Sequence, residues 1–279
     1  MKKYTILLLG TVVALLSVSQ DSLAQSPLKL YVFDCGRIQF DSVAMFGVQD
    51  DETDVRELIV PCFVIEHEKG RLLWNAGLSP SLAETEGWQE QETTRARLDR
   101  TLSEQLADLG LGLDDFDYAS FSHMHFDHVG ATNELEGATV IMQKAEHDAA
   151  FADSVSVPAF VPAAYEGLRD EEFLIIEGDH DIFGDGTVRI ISTPGHTPGH
   201  QSLFVDLPQT GPVVLSGDLY HFRLSRELRR VPSFNVDPDA TLASMDRLED
   251  LVEETGAELW IEHELARFEE LKKAPEFYE

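Results

Sequence analysis

An α/β fold is predicted by three observations. Short apolar runs of strand length alternate with amphipathic helical stripes. Four of those runs end in histidine or aspartate, as strands do when they deliver side chains to one edge of a sheet. Setting aside an N-terminal leader, the remaining length suits one domain. In chain order, Leu30–Phe33, Cys62–Ile65 and Leu72–Trp74 read as strands. Leu98, Leu102, Leu106 and Leu109 lay a helical stripe over Arg97 to Leu109, which feeds a buried strand at Tyr118–Ser122. Ala138–Met142 is a further strand and Lys144 to Phe151 a helix. Three strands then follow, in Ile190–Thr193, in Val213–Asp218 and in Glu258–His263. Between the last two, Leu242, Met245, Leu248 and Leu251 make Ala240 to Thr255 amphipathic.

The run from His123 to His128 places three imidazoles and a carboxylate within six residues, more than packing requires. These ligand types suit zinc and related divalent cations. In the loop leaving Tyr118–Ser122, His123 and His125 alternate to one side. Asp127 and His128 reach a turn and can face a second metal. Two metals need more ligands than four, and the other strand ends offer them: His196 after the Pro194-Gly195 turn, Asp218 after Gly217, and His263. A merely histidine-rich polar loop leaves those three strand ends unexplained. His67, His147, His180 and His200 read as surface or structural groups, with His200 a brace for its own loop.

The pattern His-x-His-x-Asp-His at His123 to His128 resembles the signature of the metallo-β-lactamase fold hydrolases. That resemblance implies an αββα sandwich and a dinuclear centre. His123, His125 and His196 would hold one metal, Asp127, His128 and His263 the other, and Asp218 would bridge them. Within the superfamily, Ser122 to Gly130 (SHMHFDHVG), Thr193 to Phe204 (TPGHTPGHQSLF) and Asp237 to Leu248 (DPDATLASMDRL) resemble the N-acyl homoserine lactonases. The likeness runs from about Leu28 to the C-terminus. It implies a hydrolase in which a metal-bridging water, its pKa lowered towards neutrality, attacks the carbonyl carbon of a lactone. Asp127 would be a ligand first and a proton acceptor in later steps. Zinc is the default from ligand type, while Co, Mn and Fe suit the same mixed set. The unpatterned segments Gln39–Gly47 and Phe151–Tyr165 would line an acyl-chain pocket, with core packing the competing role for each aromatic.

Two departures stand out. The strand at Leu72–Trp74 leads into Asn75-Ala76-Gly77, where the superfamily carries Asp-Thr-Gly. Asn75 still accepts a hydrogen bond but brings no charge, so weaker metal binding is expected. Lactonases also carry a Tyr three residues after the bridging Asp. His221 stands there, with Tyr220 one residue earlier, and either could hydrogen-bond a substrate carbonyl or the leaving oxygen. Gly217 to His221 equally resembles phosphotriester hydrolases, which is the alternative enzyme reading. A catalytically silent secreted binding protein is the alternative of another class, and the intact ligand set weighs against it.

The chain carries 51 acidic against 21 basic residues, a net charge of −30, which excludes nucleic acid and anionic membrane surfaces as partners. A small-molecule lactone or ester is the expected partner, and a homodimer is compatible with the composition. Lys2 and Lys3, an apolar core from Ile6 to Val18 and Ser22-Leu23-Ala24 read as a signal peptide over 1–24. Residues 25–279 are left as the mature domain, periplasmic or secreted and without stable membrane association. Cys35 and Cys62 read as buried free thiols, though an oxidising compartment would permit a disulfide.

Overall fold

Alternation along the first strand sets the layering. In β1 (Lys29–Phe40), Leu30 and Val32 enter one apolar cluster, while Tyr31 and Phe33 enter another. The computed structural model describes residues 28–90 and 94–279, so the leader expected at 1–24 lies outside the described residues. One sheet contains β1, β2 (Glu57–His67), β3 (Gly70–Trp74), β4 (Gln89–Glu90), β5 (Thr94–Arg97), β6 (Tyr118–Ser120), β7 (Thr139–Gln143) and β8 (Glu172–Ile176). Its strand order is β4-β5-β1-β2-β3-β6-β7-β8. The other contains β9 (His180–Asp181), β10 (Val188–Ser192), β11 (Gln201–Leu207), β12 (Gly211–Leu215) and β13 (Glu258–Trp260), in the order β13-β12-β11-β10-β9.

Helices complete the layers: α1 (Leu102–Ala107), α2 (Lys144–Ala150), α3 (Pro162–Tyr165), α4 (Arg223–Glu227), α5 (Pro238–Thr255) and α6 (Leu265–Glu270). Leu30, Phe63 and Trp74 meet Ile190, Leu203 and Trp260 between the two sheets. On the outer face of the first sheet, Phe33 and Leu73 pack against Leu102 and Leu106 of α1. Outside the second, Phe204 and Val214 pack against Met245 and Leu248 of α5, each such side chain contributing roughly 2 kcal/mol by burial. Three apolar interfaces between four layers make the αββα sandwich.

Local chemistry sets the element ends. The expected helix over Arg97 to Leu109 is shorter, because Thr101 and Glu104 form a capping box that starts α1 at Leu102, while Arg97 belongs to β5. Helix α5 starts at Pro238 behind Asp237, whose carboxylate accepts from Ala240 N at 2.9 Å, and it stops at the left-handed Gly256. Strands β5, β8 and β11 were not among the expected elements. No helix among the described residues is long and apolar enough to cross a membrane.

Cys35 and Cys62 are joined in a disulfide, which corrects their reading as free thiols. Cys62 lies opposite Phe33 in the β1–β2 register, and the irregularity between Asp34 and Arg37 brings Cys35 to a Cα–Cα distance of 5.8 Å. With the two cysteines 27 positions apart, loop entropy gives the bond about 3–4 kcal/mol of stability. A Cys35→Ala/Cys62→Ala variant should show that loss in urea unfolding. An unchanged midpoint would mean that strand pairing alone already restricts the unfolded chain.

Candidate metal centre

Every strand that leads to an expected metal ligand releases it just past its C-terminal end. Strands β3, β6 and β7 run parallel, as do β12 and β13, so these ends gather on one edge of the sandwich. His123, His125, Asp127 and His128 lie on the loop after β6, His196 follows β10, Asp218 follows β12 and His263 follows β13. The turn bearing His196 requires glycine: Gly195 has φ of 135°, and a Cβ there would come within 2.3 Å of Thr241 N. The start of α5 clamps this turn through Val236 N to His196 O at 3.1 Å and Asp237 N to Gly195 O at 2.9 Å.

The structure brings all seven expected metal residues together and sorts them into two groups. His123, His125, His196 and Asp218 form one, and Asp127, His128 and His263 the other, with the ligand atoms of each group within 4.8 Å of one another. Asp218 spans both. Its Oδ2 lies 3.2 Å from His196 Nε2 and 3.6 Å from His123 Nε2, while Oδ1 lies 3.1 Å from His128 Nε2 and 2.9 Å from His263 Nε2. Asp127 Oδ2 is 3.8 Å from both His128 Nε2 and His263 Nε2.

The other ring nitrogens are tied back, which aims the free ones inward. His196 Nδ1 bonds Asn235 Oδ1 at 2.8 Å, His263 Nδ1 donates to Ile59 O at 2.6 Å, and Ser122 Oγ lies 3.0 Å from Nδ1 of both His123 and His128. Glu146, buried, accepts from Met124 N and Gly199 N and so fastens the motif loop to the His196 turn. His200, also buried, braces its own loop through Nδ1 to Thr193 O at 2.9 Å, as expected, and through Nε2 also accepts from Asp218 N at 2.9 Å. His67 stacks on Phe183 and His147 packs between Phe151 and Phe173, both away from the centre.

Burial pushes His123 and His125 well below the ordinary imidazole range, leaving neutral rings with a lone pair to offer. It likewise takes His221 down to about 4 against the pull of Asp218. At His263 burial is outweighed by the Asp218 and Asp127 carboxylates, which raise it to about 10, so a cation binding there displaces a proton. Burial opposes the charge on Asp218 too, yet His263, His128, His221 and His123 hold it well below the usual carboxylate range.

Divalent cations fit this donor set. His123 Nε2 is buried without a hydrogen-bond partner. His128 Nε2 faces His263 Nε2 at 3.3 Å and His125 Nδ1 faces His196 Nε2 at 3.1 Å, contacts that set lone pair against lone pair unless a proton or cation lies between. Mixed nitrogen and oxygen donors in two groups sharing a carboxylate are suited to a pair of such ions.

Of the two side chains expected to contact substrate, His221 alone enters the site. Its Nε2 lies 3.1 Å from Asp218 Oδ2, its Nδ1 is buried without a partner, and its ring packs on Phe46. Tyr220 is corrected: it points into the α5 interface, where its hydroxyl bonds Glu249 Oε1 at 2.9 Å. Neighbouring residues in extended backbone point to opposite sides, so admitting His221 turns Tyr220 away. Both unpatterned segments reach the centre, one through Phe46 and the other through Phe160, whose ring is 5.7 Å from His125. Tyr165 is core, its hydroxyl bonded to Ala150 O. Ser122, Glu146, Asn235 and Glu262 were not anticipated as supports.

The family model of the metallo-beta-lactamase superfamily matches residues 55–256. N-acyl homoserine lactonase AttM of Azorhizobium caulinodans is 31% identical over 90% of this chain and 99% of its own length. N-acyl homoserine lactonase AiiA of Bacillus thuringiensis subsp. kurstaki is 28% identical over 89% of this chain and 98% of its own. A solved N-acyl homoserine lactone hydrolase, with the product N-hexanoyl-L-homoserine bound at its catalytic metal center, superimposes with a TM-score of 0.75 at 26% identity. That match covers 89% of this chain and 98% of the other. By motif, fold and these matches together, the chain belongs to the metallo-beta-lactamase superfamily.

Proposed function

We propose that this metal-dependent hydrolase opens the lactone ring of N-acyl homoserine lactones. It does so with two divalent cations, zinc first among them, held by His123, His125 and His196, by Asp127, His128 and His263, and by Asp218 between the groups. The observation that carries the two-cation reading is the division of Asp218, one carboxylate oxygen facing each group. The substrate class is supported by relatives that align over nearly the whole chain. Bound there, two cations supply Lewis acidity and hydroxide near neutral pH. Asp218 sets the spacing of the two groups, and Asp127, at the rim of the cluster, would take the proton of the attacking oxygen and pass it to the leaving ring oxygen as the C–O bond breaks. His221 offers a ring nitrogen to the substrate carbonyl or the leaving oxygen.

An apolar groove of about 600 Å³ is lined by Phe126, whose neighbours in sequence are His125 and Asp127, and by Ile38, Leu78, Leu82 and Val161. Phe126 and Val161 are exposed there, a surface suited to an acyl tail. The signal-peptide reading of 1–24 supports a periplasmic or secreted location, and the Cys35–Cys62 bond is in keeping with it.

The test is turnover by the zinc-loaded mature protein of short- and long-chain N-acyl homoserine lactones, with a phosphotriester alongside. Lactone kcat/KM reaching about 10⁴ M⁻¹s⁻¹ supports the proposal. A phosphotriester preferred over every lactone would move the function to that chemistry, and no turnover of either would leave a binding protein. Phe126→Ala should raise KM for a decanoyl lactone roughly 10-fold, the loss of one buried aromatic contact, with little change for a butanoyl one. Equal effects on both would place the tail elsewhere.

A further inference from the structure

We propose that Asn75 and Glu262 act as one buried positioning pair that locks the metal-bearing loops to one another and thereby sets cation affinity in both groups. The proposal rests on the two-cation reading of the site. Neither side chain is one of the seven metal residues, and both are buried. Glu262 accepts three hydrogen bonds: Oε1 from Trp74 Nε1 at 3.0 Å and from Gly217 N at 2.9 Å, and Oε2 from Asn75 Nδ2 at 2.6 Å. Asn75 continues the chain, its Oδ1 accepting from Ser122 N at 2.8 Å. Ser122 Oγ in turn touches Nδ1 of His123 and of His128.

The connected residues cover three of the four loops that carry the centre. Glu262 directly precedes His263, Gly217 directly precedes Asp218, and Ser122 directly precedes His123. Backbone bonds reinforce the link at Asn75, whose N–H donates to Ser120 O at 3.1 Å, and at Ala76, whose N–H donates to His128 O at 2.7 Å. Asn75 holds this place at φ of 60°, a left-handed conformation that asparagine tolerates better than other residues with a side chain.

Hydrogen-bond direction makes the pair testable. All three partners donate to Glu262, so Glu262→Gln sets an amide NH₂ against a donor. Flipping Asn75 to receive it only moves the clash to Ser122 N. Asn75→Asp sets carboxylate against carboxylate, a repulsion relieved only if the pair takes up a proton. The double variant Asn75→Asp/Glu262→Gln reverses the polarity of the central bond and satisfies every group: Asp at 75 accepts from Ser122 N and from the Gln amide, whose oxygen keeps Trp74 and Gly217. It also restores one negative charge to the pair.

The experiment compares wild type, both single variants and the double variant, each stripped and reloaded with Zn²⁺. Stoichiometry is read by elemental analysis, affinity by chelator competition, and thermal midpoints are taken on the metal-free forms. Each single change is expected to weaken Zn²⁺ binding roughly 10- to 100-fold, and the double change to return it to within about 3-fold of wild type. Rescue of affinity by the double variant supports the pair even if a single variant fails to fold. Wild-type affinity in folded Glu262→Gln overturns it, as does a double variant no better than the worse single. Lowered midpoints with unchanged affinity would reduce the pair to a fold contact and overturn it too. Fewer than two Zn²⁺ per wild-type chain overturns the two-cation reading itself, an outcome separable from the others.

Discussion

Replacing Asp218 with asparagine is expected to lower zinc from two ions per chain to at most one, with lactone turnover down on the order of 10³-fold. The reason is position. This buried carboxylate lies within 3.6 Å of imidazoles from both groups, and each of its oxygens faces a different one. An amide keeps one oxygen acceptor, carries no charge and turns a donor towards rings that must present lone pairs. His128→Ala, by contrast, removes a ligand from one group only, so it should cost one ion and lower turnover while the other ion remains. Chelating the wild type should lower its melting temperature, since ligands bound only by the folded state stabilise it by mass action. Elemental analysis beside steady-state kinetics checks both variants. Full turnover by His128→Ala with one ion missing would show that a single cation suffices for the chemistry.

What the sequence disclosed of this centre is what is local in it. The spacing from His123 to His128 places four candidate ligands through a short loop geometry, and apolar runs ending in His196, Asp218 and His263 mark strand ends whatever the order of strands. The supports were hidden because each depends on a meeting between distant segments. Glu262 is an unremarkable acid beside a histidine until the parallel pairing of β12 and β13 sets it against Gly217 and Trp74. Glu146, an acid in a helix's first turn, is buried and fastens two loops. Asn235 lies in a segment with no periodic signal and still orients His196. Two of the missed strands lack a local signal instead. β5 is only four residues long and largely polar, and β8 is a sheet edge with Leu174 and Ile175 exposed, so neither carries the alternation of a half-buried strand.

His221→Phe is expected to lower kcat roughly 100-fold while zinc stays at two ions per chain, and Tyr220→Phe to leave kcat within about 2-fold. Sequence position made the two residues equivalent candidates, and side-chain direction separates them. His221 packs on Phe46 with its ring centroid 4.7 Å away, contacts Asp218, and keeps one ring nitrogen without a partner in a buried setting, where an unpaired polar atom is costly. Phenylalanine fills most of the same volume, so it preserves the packing and removes only the hydrogen-bonding edge. Tyr220 spends its hydroxyl on Glu249, which Arg226 also holds at 2.7 and 2.8 Å, so its loss should cost about 1 kcal/mol of stability and little activity. Separating kcat from KM decides what His221 does. A fall in kcat alone assigns it to charge developing in the transition state, and a rise in KM alone to ground-state binding. Loss of a zinc ion in His221→Phe would instead show that it acts through Asp218, holding the shared carboxylate in place rather than meeting the substrate.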